Sequence, residues 1–121
     1  MSVEYFAMDS IKILYSNNFG ISFFWKRNIS SPSKKIQLVF RDTGLELTFK
    51  EFLIFKKQIK QSLTAPSLCK ECKKNKDCKS LLLLTPANQI SFAMSYHELL
   101  QVEDLVRGTS FQLELNSLIN T

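Results

Sequence analysis

Two stretches of the chain repeat the same order of residue types. Residues 36–59 and 83–106 each run through an apolar strand, a polar turn, an alternating strand, a capping residue and a helical pattern. At an offset of 47 residues, the matched positions are Leu45 and Phe92, Leu47 and Met94, Glu51 and Glu98, Phe52 and Leu99, Phe55 and Val102, and Ile59 and Val106. Self-similarity at a fixed spacing indicates a repeated structural unit, so we expect a duplicated strand–turn–strand–helix unit.

The alternation of apolar and polar residues predicts six strands. They fall at residues 11–15, 21–26, 36–40, 45–49, 81–85 and 90–94. A glycine in the turn between the third and fourth strands, Gly44, suits a positive φ. Hairpins that precede each helix predict an α+β domain in which an antiparallel sheet of about six strands carries the helices on one face.

Each predicted helix begins with the sequence of a capping box. Thr48 with Glu51, and Ser95 with Glu98, have the spacing at which side chains satisfy the first backbone N–H groups of a helix. The first helix is predicted to run to about residue 62, and the second to end at Gly108. The tail after Gly108 fits a short helix or a strand, and we favour the helix.

The 121 residues predict one domain, 1–121. We divide it into a first part with hairpins and a helix (11–63), a Cys- and Lys-rich loop (64–80), a second hairpin and helix (81–108) and a tail (109–121). The start of the chain lacks a basic segment followed by an apolar run, so we expect a cytoplasmic protein without a membrane segment.

Aromatic residues occupy both faces of the second predicted strand. Phe23 and Trp25 share one face, and Phe24 points to the other. One set is expected to be core. The other set is either an exposed dimer or partner surface, or is covered by the N-terminal arm or at a sheet edge.

Three cysteines lie within ten residues, as Cys69, Cys72 and Cys78. A CxxC pair lets two thiolates bind one ion, and zinc takes four N or S ligands in structural sites. His97, the only histidine, is the candidate fourth ligand. The alternatives are three free or disulfide-paired thiols with no cofactor, an iron–sulfur site, or a thiol redox pair of Cys69 and Cys72.

The positive charge of the chain is concentrated in residues 56–79. This segment has eight lysines and two acidic residues. Such a patch can bind nucleic acid through phosphates, and a solvated basic loop is the alternative. The candidate nucleic-acid-binding residues are Lys70, Lys73, Lys74, Lys76 and Lys79.

No recognisable catalytic motif accompanies these features. The sequence therefore favours a small non-enzymatic binding or interaction module, whose partner is an unidentified protein or a second copy. The first alternative is a Cys-knuckle metal-binding protein that contacts nucleic acid through the Lys-rich loop. A thiol redox protein is the further alternative.

A family resemblance covers about residues 20–106. It is carried by GISFFW, by IQLVFRDTGLELTFKEFLIFKKQI and by LLLLTPANQISFAMSYHELLQVEDLV. These segments resemble a small uncharacterised protein family from Bacteroidota, a domain of unknown function with two hairpin–helix units. The resemblance implies a hairpin, an LELT-x-x-EF helix start, an insert and a second hairpin with a helix, but no known activity.

Overall fold

The computed structural model describes residues 10–64 and 81–119. It is an α+β structure with six strands and two long helices in these residues. The strands are β1 (Ile11–Ser16), β2 (Gly20–Trp25), β3 (Ile36–Phe40), β4 (Thr43–Leu47), β5 (Leu81–Leu84) and β6 (Ser91–Met94). The helices are α1 (Phe49–Leu63) and α2 (Tyr96–Ile119), and a short 3₁₀ helix covers Lys26–Asn28.

The strands form two antiparallel sheets, so the predicted single sheet of six strands is wrong. One sheet has the order β1-β2-β3-β4, and the other contains only β5 and β6. Local alternation defines each hairpin but does not say which hairpins pair with each other. The two predicted units share the order of hairpin, cap and helix, yet they sit in different sheets and their helices have 15 and 24 residues. A duplication therefore stays a prediction.

One core joins both sheets and both helices. The helix residues that face it recur at helical spacing. They are Phe52, Phe55 and Ile59 on α1, and Leu99, Val102, Leu105 and Val106 on α2. A second, smaller cluster contains the strand residues Ile11, Ile21 and Phe23, with Trp25 and Val39 packed against it. The helices contribute only to the first cluster.

Both helices begin as the sequence predicts. The Glu51 N–H donates to Thr48 Oγ1 (3.1 Å), and the Thr48 N–H donates to Glu51 Oε1 (2.9 Å). At α2 the Glu98 N–H donates to Ser95 Oγ (3.1 Å), and the Ser95 N–H donates to Glu98 Oε1 (3.0 Å). Two otherwise unpaired N–H groups are satisfied at each start. None of the described helices is both long and apolar enough to cross a bilayer.

The second helix does not end at Gly108. It continues to Ile119, so the predicted helical tail is part of α2. Gly108 lies against the ring of Tyr15, where an added Cβ would come within 2.5 Å of three ring atoms. This glycine permits a close approach of β1 to the helix and does not act as a C-terminal cap.

In the turn between β3 and β4, the residue with a positive φ is an arginine and not the glycine. Arg41 has a φ of 54°, whereas Gly44 lies inside β4 opposite Val39. Backbone strain at a non-glycine residue of this kind costs about 1–2 kcal/mol. The Arg41 side chain joins this turn to α2 and β6: its Nε lies 3.5 Å from Glu98 Oε2, and its Nη1 donates to the Ala93 carbonyl (3.2 Å).

The aromatic residues of β2 are buried on both faces. Phe23 belongs to the smaller cluster and Phe24 to the main core. Phe23 and Phe24 are therefore both covered, and the alternative in which one face is an exposed partner surface is wrong. In β1, the register shifts between Ile13 and Tyr15. This irregularity brings Tyr15 against the main core and removes it from the face that the period-2 pattern assigned to Ile11, Ile13 and Tyr15.

Candidate functional site

The proposed metal and nucleic-acid residues fall mostly outside the described part of the chain. His97 is the second residue of α2 and is exposed. The other proposed residues, Cys69, Cys72, Cys78, Lys70, Lys73, Lys74, Lys76 and Lys79, lie outside residues 10–64 and 81–119. Within those ranges no three His, Cys, Asp or Glu side chains converge as a metal site would require. The knuckle and the basic loop stay predictions.

A groove lies between α1 and the C-terminal half of α2 in the described part of the chain. It has a volume of about 970 Å³. Known small-molecule and cofactor sites have volumes of roughly 300–1,000 Å³, so the groove is at the upper end of that range. We call it the interhelix groove.

One wall of the interhelix groove is a second face of α1. Phe49, Leu53 and Lys56 line it and recur at i, i+4 and i+7, so they lie on one side of the helix. The core face of α1, with Phe52 and Phe55, is offset from them. Phe49 is 57% exposed and Leu53 is 46% exposed, which leaves apolar surface uncovered inside a concave site.

The floor and the remaining walls come from β1, β2, β3, α2 and the connection between β2 and β3. Phe24 and Ile36 form the buried floor. The opposite wall is the α2 face with Ser110, Leu113, Glu114, Asn116 and Ser117. Ile29, Pro32 and Lys34 close one side from the β2–β3 connection, and Lys12 approaches from β1.

Positive charge surrounds this apolar surface. The described lining contains three lysines, Lys12, Lys34 and Lys56, and one carboxylate, Glu114. Lys34 Nζ lies 5.4 Å from the centre of the Phe24 ring, within cation–π distance. Lys56 Nζ donates to Ser110 Oγ (3.0 Å), which links α1 to α2 at this wall. The groove is therefore amphipathic and suits an anion that carries an apolar part.

The interhelix groove was not predicted from the sequence. Only the core stripe of α1 was predicted, because Phe52, Phe55 and Ile59 dominate the helical period. The available signal was a second stripe, with Phe49, Leu53 and Lys56 at helical spacing. Lys12 and Lys34 come from separate segments, so their approach to this stripe depends on the tertiary fold.

A polar cluster on the N-terminal half of α2 has a structural role. Asp104 Oδ2 accepts from Tyr15 Oη (3.0 Å) and Asn17 Nδ2 (2.9 Å), and Asp104 Oδ1 accepts from Arg107 (3.2 Å). The Asn17 hydrogen bond is the main cause that lowers the pKa of Asp104, and the hydrogen bond to Asp104 is the main cause that raises the pKa of Tyr15. Asn17 Oδ1 also accepts from the backbone of Phe19 and Gly20. The cluster thus fastens the β1–β2 turn to α2.

A second exposed apolar surface lies on the β5–β6 hairpin. Leu82, Leu84 and Ile90 are each more than half exposed. No residue from 81 to 95 is charged, so this surface offers burial but no charged group to orient an ionic ligand. The interhelix groove combines both properties and is the stronger candidate site.

No family model, curated protein or solved structure matches the chain. The resemblance to the Bacteroidota family stays a prediction, and the functional conclusion depends on the groove itself.

Proposed function

We propose that this protein is a small non-enzymatic binding module that takes an amphipathic anion in the interhelix groove. One observation carries the proposal: half-exposed apolar side chains and three lysines line the same concave site. Burial of the apolar side chains would supply affinity, at roughly 25 cal/mol for each Å² removed from water. The lysines would orient the anionic part and favour it over a cation.

The polar chemistry of the groove suits binding better than catalysis. Lys56 and Ser110 are hydrogen-bonded, and a lysine can serve as the base of a serine nucleophile in some hydrolases. Acyl transfer also needs donors aimed at the developing oxyanion. Ser110 lies in the middle of α2, where backbone N–H groups are engaged within the helix. The lysine–serine pair therefore serves as a link between the two helices.

The anionic dye 1-anilinonaphthalene-8-sulfonate tests the site, because it is itself an amphipathic anion. We expect it to bind the native protein, and we expect Leu53→Gln to weaken this binding about fivefold to tenfold. The reason is that the substitution removes part of an apolar contact worth about 1.5–3 kcal/mol when fully buried. Titration of dye fluorescence measures the change.

Ile54→Gln is the matched control. Ile54 is adjacent on α1 and 42% exposed, close to the value for Leu53, but it does not line the groove. Glutamine is a good helix former, so both variants should keep α1 intact, as circular dichroism would verify. Equal losses in the two variants would mean that the dye binds elsewhere, and the proposal would fall.

The cysteine spacing favours the alternative function, a zinc knuckle whose basic loop contacts nucleic acid. If this holds, protein purified without chelator should contain about one zinc per chain, bound through Cys69, Cys72 and Cys78. Cys72→Ser should then release the metal, as elemental analysis would show, because one of the thiolate ligands is lost. Protein without metal, with three freely titrating thiols, would contradict the knuckle.

A further inference from the structure

We propose that the occupant of the interhelix groove is an acidic amphipathic helix of a partner protein, of about two turns. This inference depends on the proposed function and names the chemistry of its partner. Helix-in-groove recognition places one apolar face of a helix into a hydrophobic groove and leaves the other face in solvent. The openness, length and charge of the groove each match this mode of binding.

The openness of the groove suits a helix better than a small molecule as its tightest occupant. Sites for small molecules bury roughly 70–90% of the ligand, which requires walls on nearly all sides. Here Phe49 and Leu53 remain about half exposed although they line the wall. A bound amphipathic helix buries only its apolar face, so an open groove is sufficient to bind it.

The length of the groove matches about two turns of helix. Its α1 wall runs from Phe49 to Lys56, and its α2 wall from Ser110 to Ser117. Each spans seven residue steps, which is about 10.5 Å at the rise of an α-helix. Two turns of a bound helix are about 11 Å long. A contact of this size predicts weak, transient binding, with a dissociation constant on the order of tens of micromolar.

The charge and side chains of the groove select the polar part of the partner. Lys12 and Lys34 can pair with Glu or Asp side chains that flank the apolar face of the helix, and Glu114 is the only described lining carboxylate that would oppose them. Nucleic acid would instead need exposed aromatic rings on which bases stack. Among the described lining residues only Phe49 presents a largely exposed ring, because Phe24 is buried in the floor.

Fluorescence anisotropy with synthetic peptides tests the proposal. The probe is a fluorescein-labelled helix of about 16 residues, or about four turns, with leucines on one face and glutamates beside them. The first control has the same composition in an order that forms no apolar face. The second control replaces every glutamate by lysine. Only the probe is expected to bind, and its affinity should fall as the salt concentration rises from about 50 to 300 mM.

Paired charge reversals locate the contact. Lys12→Glu with Lys34→Glu should weaken binding of the probe by about tenfold or more, because attraction becomes repulsion at the groove. Lys57→Glu with Lys60→Glu makes the same change in net charge at exposed α1 residues outside the groove. This control pair is expected to change the affinity by less than about twofold, as residual long-range attraction is screened by salt.

Three results would overturn the inference. Equal losses in the two double variants would indicate non-specific charge attraction. Binding of oligothymidine, with loss in the groove variant and no binding of the peptide, would assign the site to nucleic acid. Displacement of the dye by palmitate, again without peptide binding, would assign it to a small lipid acid and leave the proposed function standing. If the dye itself does not depend on Leu53, the proposed function fails first.

Discussion

Replacing Phe55 by alanine is expected to lower the free energy of unfolding by about 3–5 kcal/mol, because it leaves a cavity that the surroundings fill only in part. Phe55 is fully buried at the centre of the α1 core face. Its cluster includes Leu38 of the large sheet, Leu83 of the small sheet and Val102 of α2. Guanidinium denaturation, with the slope of the transition unchanged, would measure the loss.

Ile54→Ala is the control for this change, since Ile54 is on the same helix and largely outside the core. It should cost less than about 1 kcal/mol, in the range of substitutions away from a packed core. A loss below about 1 kcal/mol for Phe55→Ala would mean that α1 does not depend on this core.

The same variant tests whether the large sheet and the helices unfold as one unit. Trp25, the only tryptophan, lies in β2 and reports on the large sheet by fluorescence. Far-ultraviolet circular dichroism reports chiefly on the helices. Because one buried cluster joins both sheets and both helices, the fluorescence and circular dichroism signals should change together in wild type and in Phe55→Ala. Separate transitions would show that the large sheet and the helices unfold independently of each other.

The sequence was most informative where structure is determined by neighbours along the chain. Thr48 and Glu51, three residues apart, satisfy each other's backbone groups, so the start of α1 was predictable without knowledge of the fold. The buried stripe of α1 was predictable for the same reason, since Phe52, Phe55 and Ile59 follow the helical period.

Features that depend on contacts between distant segments were not predictable in this way. The separation of β5 and β6 from the large sheet depends on which strand edges meet, and alternation carries no such information. The positive φ of Arg41 coincides with its bonds to Glu98 and Ala93, which are more than 50 residues away. The groove needs Lys12 and Lys34 to approach α1, which again only the tertiary structure arranges.

Gly108→Ala is expected to destabilise the protein by about 1–3 kcal/mol, the range found for overpacked sites. In an exposed helix the same substitution would stabilise by about 1 kcal/mol, because alanine is the better helix former. The sign reverses here because the new Cβ would come within 2.5 Å of three atoms of the Tyr15 ring. Thermal or denaturant unfolding would measure both the sign and the size of the change in stability.

The ring of Tyr15 cannot easily move aside. Its hydroxyl donates to Asp104, four residues before Gly108 on the same helix, at 3.0 Å. Relief of the clash therefore requires loss of that hydrogen bond or displacement of β1 from α2. In the Tyr15→Ala background the clash is absent, and Gly108→Ala should then be neutral or stabilising, so a double-mutant cycle isolates the contact. If Gly108→Ala stabilises the otherwise wild-type protein, the close approach of β1 to α2 is not a constraint, and the helix propensity of alanine decides the outcome.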